Sequence, residues 1–262
     1  MSGADQRLFA DAQAYQDFMG RWSAVLAERF LDFAGLDDGD RVLDIGTGTG
    51  ALIAAISRRA PRASIAGIDP SPEYIAFASA RVPNASLQVG DAQSLPLKDA
   101  TFDRALCQLV LNFIPDIVRA IAEMRRVTRS GGTVAAANWD LESGMGMLTE
   151  FWDAVGPAGD INPYGERQSA LTKEELVALW RETGLTDVTA VDIEFASDFT
   201  SFDDYWLPFM RGQGPSGKYT ASLGQADRDA LRDRLCARLT GGRTDKAFSL
   251  PTRAFAVRGI VR

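Results

Sequence analysis

The chain has 262 residues, 46% hydrophobic and 24% charged, the make-up of an ordinary globular protein with enough apolar residues for a sizeable core. Its 28 Lys and Arg against 35 Asp and Glu leave a net charge of −7 with no dense basic block, which argues against a broad nucleic-acid or anionic-membrane face. It has no histidine, which excludes a His general base, a Ser-His-Asp triad and every His-ligated metal; Cys107 and Cys236 are too few for a disulfide framework or a thiolate metal site. The expectation is a single domain over residues 1–262 that handles a small molecule, with no metal, nucleic acid or membrane as partner. There is no secretory apolar core and no apolar run of membrane-spanning length, so a cytoplasmic location is expected.

Residues 1–40 read as two helices. Leu8, Phe9, Ala12 and Tyr15 mark the first, and Trp22, Val25, Leu26, Phe30, Leu31 and Phe33 give the second an apolar face. Between them, Phe18-Met19-Gly20-Arg21-Trp22-Ser23 reads as a turn with core aromatics on its residues alone. Val42, Leu43 and Ile45 then form a short apolar run, as expected of a strand buried on both faces. It stops at Gly46, Gly48 and Gly50, after which Ala51, Leu52, Ile53, Ala55 and Ile56 recur at helical spacing. Strand, glycine turn and helix open a nucleotide-binding unit. Side chains in that turn would hold a ligand off the backbone, and the first N–H groups of the helix suit a polar or anionic group. The glycines fit a dinucleotide fingerprint (Gly46, Gly48, Ala51) as well as Gly-x-Gly-x-Gly.

The helix ends before Pro61, and residues 64–68 form the next strand. It finishes at Asp69, about 20 residues beyond the glycines, where a carboxylate can accept both hydroxyls of a ribose. Pro70-Ser71-Pro72-Glu73 starts a helix with Ser71 as N-cap and Pro72 in its first turn. Leu87-Gln88-Val89 is a third strand running into Gly90-Asp91-Ala92-Gln93. Residues 102–107 are a fourth, left through Gln108, with Leu109 and Phe113 read as packing residues. Ile117, Ile121, Met124 and Val127 line a helix over residues 116–128; Gly131-Gly132 ends it before a fifth strand at 133–138.

Residues 139–170 and 196–247 read as cap insertions. The first carries Trp139, Met145, Met147, Phe151 and Trp152; the second has Ser201 and Asp204 as a helix cap, then Tyr205, Trp206, Phe209 and Met210. Between them, Thr172 and Glu175 form a capping box for a helix bearing Leu176, Leu179 and Trp180, followed by a sixth strand at 188–195. Residues 249–262 close the chain, and 252–261 alternate as an antiparallel strand does.

Four features in order decide among nucleotide-binding proteins. They are Asp44 ahead of Gly46-Thr47-Gly48-Thr49-Gly50, Asp69 after the second strand, Asp91-Ala92 after the third, and the final alternating strand. Together they resemble the class I S-adenosylmethionine-dependent methyltransferases, in particular the type 11 group, over roughly residues 40–195 and 249–262. The resemblance implies an α/β, three-layer Rossmann-like fold: a mostly parallel seven-stranded sheet with an antiparallel last strand, a cofactor-binding core at 41–138, and helical caps. It implies S-adenosylmethionine as cofactor, held by Asp44, Gly46, Thr47, Gly48 and Gly50, and by Asp69, Pro70 and Ser71 at the ribose. Asp91 and the Ala92 N–H would meet the adenine, Gln108 would line the site, and the segment Met19-Gly20-Arg21-Trp22-Ser23 would fold over the cofactor, with Tyr15 and Arg21 covering or contacting the methionine end.

The cap aromatics Trp139, Trp152, Tyr164, Tyr205, Trp206 and Phe209 are then candidate walls for a small, apolar or aromatic acceptor. In-line methyl transfer needs alignment and exclusion of water, and an oxygen or carbon acceptor also needs a base. With no histidine, Asp140 just past the fifth strand is the candidate base, ahead of Glu142, Asp153, Tyr164 and Tyr205. A nicotinamide-dependent oxidoreductase would explain Gly46, Gly48 and Asp69 but not Asp44 or Asp91-Ala92, and the chain offers no obvious Tyr-x-x-x-Lys pair for it. A module that binds S-adenosylmethionine without catalysis is the other alternative.

Overall fold

The computed structural model describes residues 12–156 and 171–262. Seven strands form one sheet: β1 Arg41–Ile45, β2 Ser64–Asp69, β3 Ser86–Val89, β4 Phe102–Gln108, β5 Thr128–Trp139, β6 Thr186–Phe199 and β7 Phe248–Ile260. Their order is β3-β2-β1-β4-β5-β7-β6, and only β7 runs against its neighbours. The expected fold class is therefore present. From β1 the chain winds out to β2 and β3, then returns to start the other half at β4. The ends of β1 and β4 thus flank the crevice where open α/β sheets bind ligands.

Helices cover both faces. α1 Ala12–Tyr15 continues through a π-helix, Gln16–Gly20, into α2 Arg21–Ala34; α3 Ala51–Arg59, α4 Pro72–Arg81 and α5 Ile117–Val127 follow. Next come α6 Gly146–Val155, α7 Lys173–Glu182, α8 Phe202–Trp206, α9 Gly214–Ser222 and α10 Gln225–Thr240. The alternation along β1 sorts the core. Val42 joins Leu26, Phe30 and Ile53 in one apolar cluster, while Leu43 and Ile45 join Ile121, Met124 and Trp180 in the other. Trp180 also donates its indole N–H to the Val134 carbonyl (3.0 Å), so its one polar atom is not stranded.

Local signals in the sequence are realised at the helix starts. The Ser71 hydroxyl accepts the Tyr74 N–H with Pro72 in the first turn; Thr172 and Glu175 form the reciprocal capping box; Ser201 accepts the Asp204 N–H. The strand bounds differ from expectation. β5 starts at Thr128, directly after α5, with Gly131 at φ +74° inside it, so the glycines bend a strand rather than end a helix. β6 and β7 pair from Thr186 with Ile260 to Phe199 with Phe248, well past the apolar alternation of either one, because each supplies the other's ladder.

The second insertion folds as α8, a 3-10 turn at Leu207–Arg211, α9 and α10, and it stacks on α6 through aromatic rings. Phe151 lies parallel to Phe209 at 4.6 Å, and the Tyr205 hydroxyl donates to the Met147 carbonyl (2.9 Å). Leu8, Phe9 and Tyr164 lie outside the described residues.

Candidate functional site

A cleft of about 610 Å³ lies over the C-terminal ends of β1, β2, β4 and β5. Its floor is the glycine loop. Gly46 and Gly48 have φ of +73° and +52°, in the left-handed region that glycine occupies without strain. At Gly46 a Cβ would also sit 2.3 Å from the Val110 side chain, so the exit of β4 forbids any larger residue. The N–H groups of Gly46 and Thr47 both donate to the Ile68 carbonyl (2.7 and 3.0 Å). Asp69 joins this loop to the next one: its carboxylate accepts the N–H of Gly48 (2.9 Å) and of Ser71 (2.8 Å). Burial lifts its pKa above the ordinary value even though these two donors pull it down.

Asp44 is the unusual member. Its side chain is 1% exposed, one carboxylate oxygen has no hydrogen-bond partner, and no cation among the described residues neutralises it. Burial, then the neighbouring Asp69 charge, push its pKa to about 8, against a weaker opposing hydrogen bond from Thr47.

Tyr15, Phe18, Met19 and Ser23 form the roof. Gln108, 8% exposed, donates its amide N–H to the Ser23 carbonyl (3.0 Å), leaving its side-chain oxygen unpartnered. Leu109, at φ +65°, is held in that left-handed conformation by donating its N–H to the Ala137 carbonyl (2.7 Å). Trp139, Leu141, Leu148 and Trp152 build the far wall, with residues 214–216 of α9 opposite. The charged lining residues Asp44, Asp69 and Glu73 all belong to the β1, β2 and α4 side, and the described lining includes no Lys or Arg.

The cleft brings together Tyr15, Asp44, Gly46, Thr47, Gly48, Asp69, Pro70, Ser71, Gln108, Trp139 and Trp152 from the sequence-predicted set. Gly50 sits just behind it as the N-cap of α3. The rest lie elsewhere. Arg21 turns away to grip Asp204 (2.8 and 3.0 Å) and stacks over the Trp22 ring at 4.2 Å. Asp91 and Ala92 are not in the lining; the Asp91 carboxylate is engaged by the backbone N–H (2.9 Å) and side-chain amide (3.1 Å) of Gln93. Tyr205, Trp206 and Phe209 are buried in the cap's own core.

Asp140 is also outside the cleft. It is 3% exposed, and the Arg253 guanidinium clamps it at 2.9 and 2.5 Å. Burial would raise its carboxyl, but Arg253 and Ser143 together hold it below the usual range, the reverse of what a base needs. Tyr164 is outside the described residues.

Met19 and Ser23 line the cleft from the segment that the resemblance places over the cofactor; sequence reasoning missed Phe18, Glu73, Asn112, Leu141, Leu148 and residues 214–216, and it read Leu109 and Phe113, which line the cleft, as packing. One signal was available: Leu148 and Trp152 are four residues apart and share a face of α6.

A family profile described as a methyltransferase domain matches residues 43–136, the stretch from β1 into β5. An uncharacterized methyltransferase of Schizosaccharomyces pombe is 32% identical over 123 residues, 43% of this chain and 44% of that one, so the chain spans under half of this relative's length. Phosphoethanolamine N-methyltransferase 2 of Haemonchus contortus, solved with phosphomonomethylethanolamine and S-adenosylhomocysteine, shares the fold at TM-score 0.59 and 18% identity. That match covers 98% of this chain and 58% of the other. The (4+2)-cyclase SpnF shares it at TM-score 0.54 and 21% identity, over 91% of this chain and 81% of the cyclase.

The cleft's chemistry fits S-adenosylmethionine, the cofactor that the sequence resemblance implies. A buried carboxylate with an unpartnered oxygen beside a glycine loop suits a ligand carrying positive charge. Among the described residues no group of acidic, Cys or His side chains is arranged to hold a metal, and no helix is long and apolar enough to cross a membrane.

Proposed function

We propose that the protein transfers the methyl group of S-adenosylmethionine to a small, uncharged, largely apolar acceptor. The division of the cleft carries this reading: every charged lining residue is on the β1–β2 side, while Trp139, Leu141, Leu148 and Trp152 make the β5 side apolar. S-adenosylmethionine supplies an already activated methyl group on a sulfonium centre.

The chain's own residues then bind and align. The glycine loop admits the ligand close to the backbone, Asp69 accepts the ribose hydroxyls, and Asp44 faces the positively charged methionine end. Tyr15, Phe18 and Met19 close the roof and exclude water, and the aromatic faces favour a cation beneath them. Trp139 and Trp152 hold the acceptor in line with the methyl group, the main service a methyl transfer from an activated donor requires. Because the three lining carboxylates stand on the donor side, an acceptor atom with its own lone pair, such as a neutral amine nitrogen, suits the apolar half best. Arg21, Asp91, Ala92 and Asp140 have no part in this arrangement.

The test is transfer of labelled methyl from S-adenosylmethionine into a metabolite extract, followed by identification of the labelled product. It also separates methyl transfer from cofactor binding without catalysis, and from the different chemistry of a cyclase sharing the fold. Calorimetry should show S-adenosylmethionine binding and no tight NAD binding; the opposite result would reject the assignment. Asp69→Ala should weaken cofactor binding by about 1–3 kcal/mol, the worth of hydrogen bonds to a charged group. Unchanged affinity would remove Asp69 from the site.

A further inference from the structure

Asp44 poses a problem that the reading above leaves unsolved. A carboxylate that is 1% exposed, with an oxygen lacking any donor, is too costly to keep ionised without a cation. The groups packed around it make matters worse. From β2 comes the Asp69 carboxylate, whose charge acts directly on it. From β4 come Gln108, whose side-chain oxygen is also without a donor, and the buried Cys107 thiol, itself pushed up by burial and then by Asp44.

The roof contributes the Tyr15 phenol, raised by burial and by the Asp69 charge, and α4 contributes Glu73. The cation of α4, Arg81, gives its guanidinium to the Thr49 carbonyl (3.2 Å) and to Gln16 (3.3 Å), and it does not line the cleft. The glycine loop supplies only the Thr47 hydroxyl. Nothing on these elements offers Asp44 a positive partner, yet it lines a cleft built for a ligand that brings one.

We infer that Asp44 is a proton-linked counter-ion: it carries a proton in the ligand-free protein and releases it to solvent when the ammonium of the cofactor's methionine end docks. The step balances. The carboxyl O–H bond breaks, the proton passes to buffer, and a neutral acid beside a cation becomes an ion pair. This rests on the S-adenosylmethionine reading and adds a specificity to it, because the site then selects ligands that keep the amino-acid end. Sign and size follow from linkage. The ligand-free carboxyl titrates near 8, so below that pH binding must displace a proton, and affinity rises about tenfold per pH unit until Asp44 is already ionised.

The experiment is titration calorimetry of the full chain at pH 7 in two buffers of different ionisation enthalpy, with three probes. These are S-adenosylmethionine, S-adenosylhomocysteine and 5′-methylthioadenosine, the last lacking the amino-acid end. The expected result is close to one proton released with each of the first two and none with the third. Affinity for S-adenosylhomocysteine should rise about tenfold per unit from pH 6 to 7.5. Asp44→Asn, whose amide cannot titrate, should release none. Binding of the first two with a buffer-independent heat, equal release with methylthioadenosine, or wild-type release from Asp44→Asn would each overturn the inference. Absence of any S-adenosylmethionine binding would instead overturn the function proposed above. Should Asp44→Asn fail to fold, the wild-type proton count alone decides.

Discussion

At the N-terminal end of the sheet, Arg104 on β4 reaches the Asp40 carboxylate at 2.5 Å, the Ala34 carbonyl at 2.8 Å and the Thr133 hydroxyl at 3.1 Å; both charged side chains are nearly buried. Next to it, Arg41 and then Arg129 hold the Asp103 carboxyl far below its ordinary range. At the C-terminal end of the sheet, Asp44 and Asp69 are also buried, but no guanidinium among the described residues meets them, and both carboxyls are pushed upward. At one end these charges are matched from within the chain. The other leaves charge unmatched where a ligand is to lie. The same residue type thus rigidifies one edge and waits for a partner at the other, and the direction of the pKa shift tells the two apart.

Substitutions can break this contrast from either side. Arg104→Met should have the largest effect: it strands Asp40 and should cost about 3–5 kcal/mol of stability by urea titration. A loss below about 1 kcal/mol would mean that the pair does not hold that edge. Asp140→Asn should lose about 1.5–3 kcal/mol by weakening the Arg253 clamp, with donor affinity unchanged by calorimetry. A variant of full stability that loses only turnover would restore Asp140 as a catalytic group.

Asp44→Asn should alter the pH dependence of stability. The unfolded carboxyl ionises near the ordinary 3.8, and the folded one is pushed up to about 8. The protein therefore binds more protons folded than unfolded between those values, and this group's contribution to stability falls as pH rises through that window. The slope is at most about 1.4 kcal/mol per pH unit, and it should be missing from Asp44→Asn in melts from pH 5 to 8. Identical slopes would place the proton elsewhere. Smallest of all, Arg58→Ala breaks a pair with Glu28 in which both side chains are well exposed, and it should change stability by no more than about 0.5 kcal/mol.

Much of the β1–β2 side of the cleft was legible because its constraints are local. Gly46 and Gly48 sit beside the strand they terminate, Asp69 ends the next strand, and Ser71 caps the helix that follows. The β5 side was not, because its decisions are made across long stretches of chain. Arg21 resembles a cofactor ligand until Asp204, 183 residues later, takes it. Asp140 resembles a base until Arg253, 113 residues later, neutralises it. Helical spacing shows that Tyr205, Trp206 and Phe209 have an apolar face, but not whether that face meets a ligand or Phe151; the structure gives them Phe151 and its neighbours. Leu109 could not have been singled out either, since its left-handed backbone is imposed by the Ala137 carbonyl and not by its own side chain.

The wide turn at Gln16–Gly20 amounts to one surplus residue in an otherwise continuous rod from Ala12 to Ala34. Deleting a single residue there would restore regular winding and rotate everything upstream by about 100° about the axis. Tyr15 would swing out of the ligand's ceiling, while Trp22, Leu26 and Phe30 kept their seats on the sheet. That spare residue uncouples the two ends of the rod, and shortening it by one is the smallest edit that would re-aim the ceiling without disturbing the foundation.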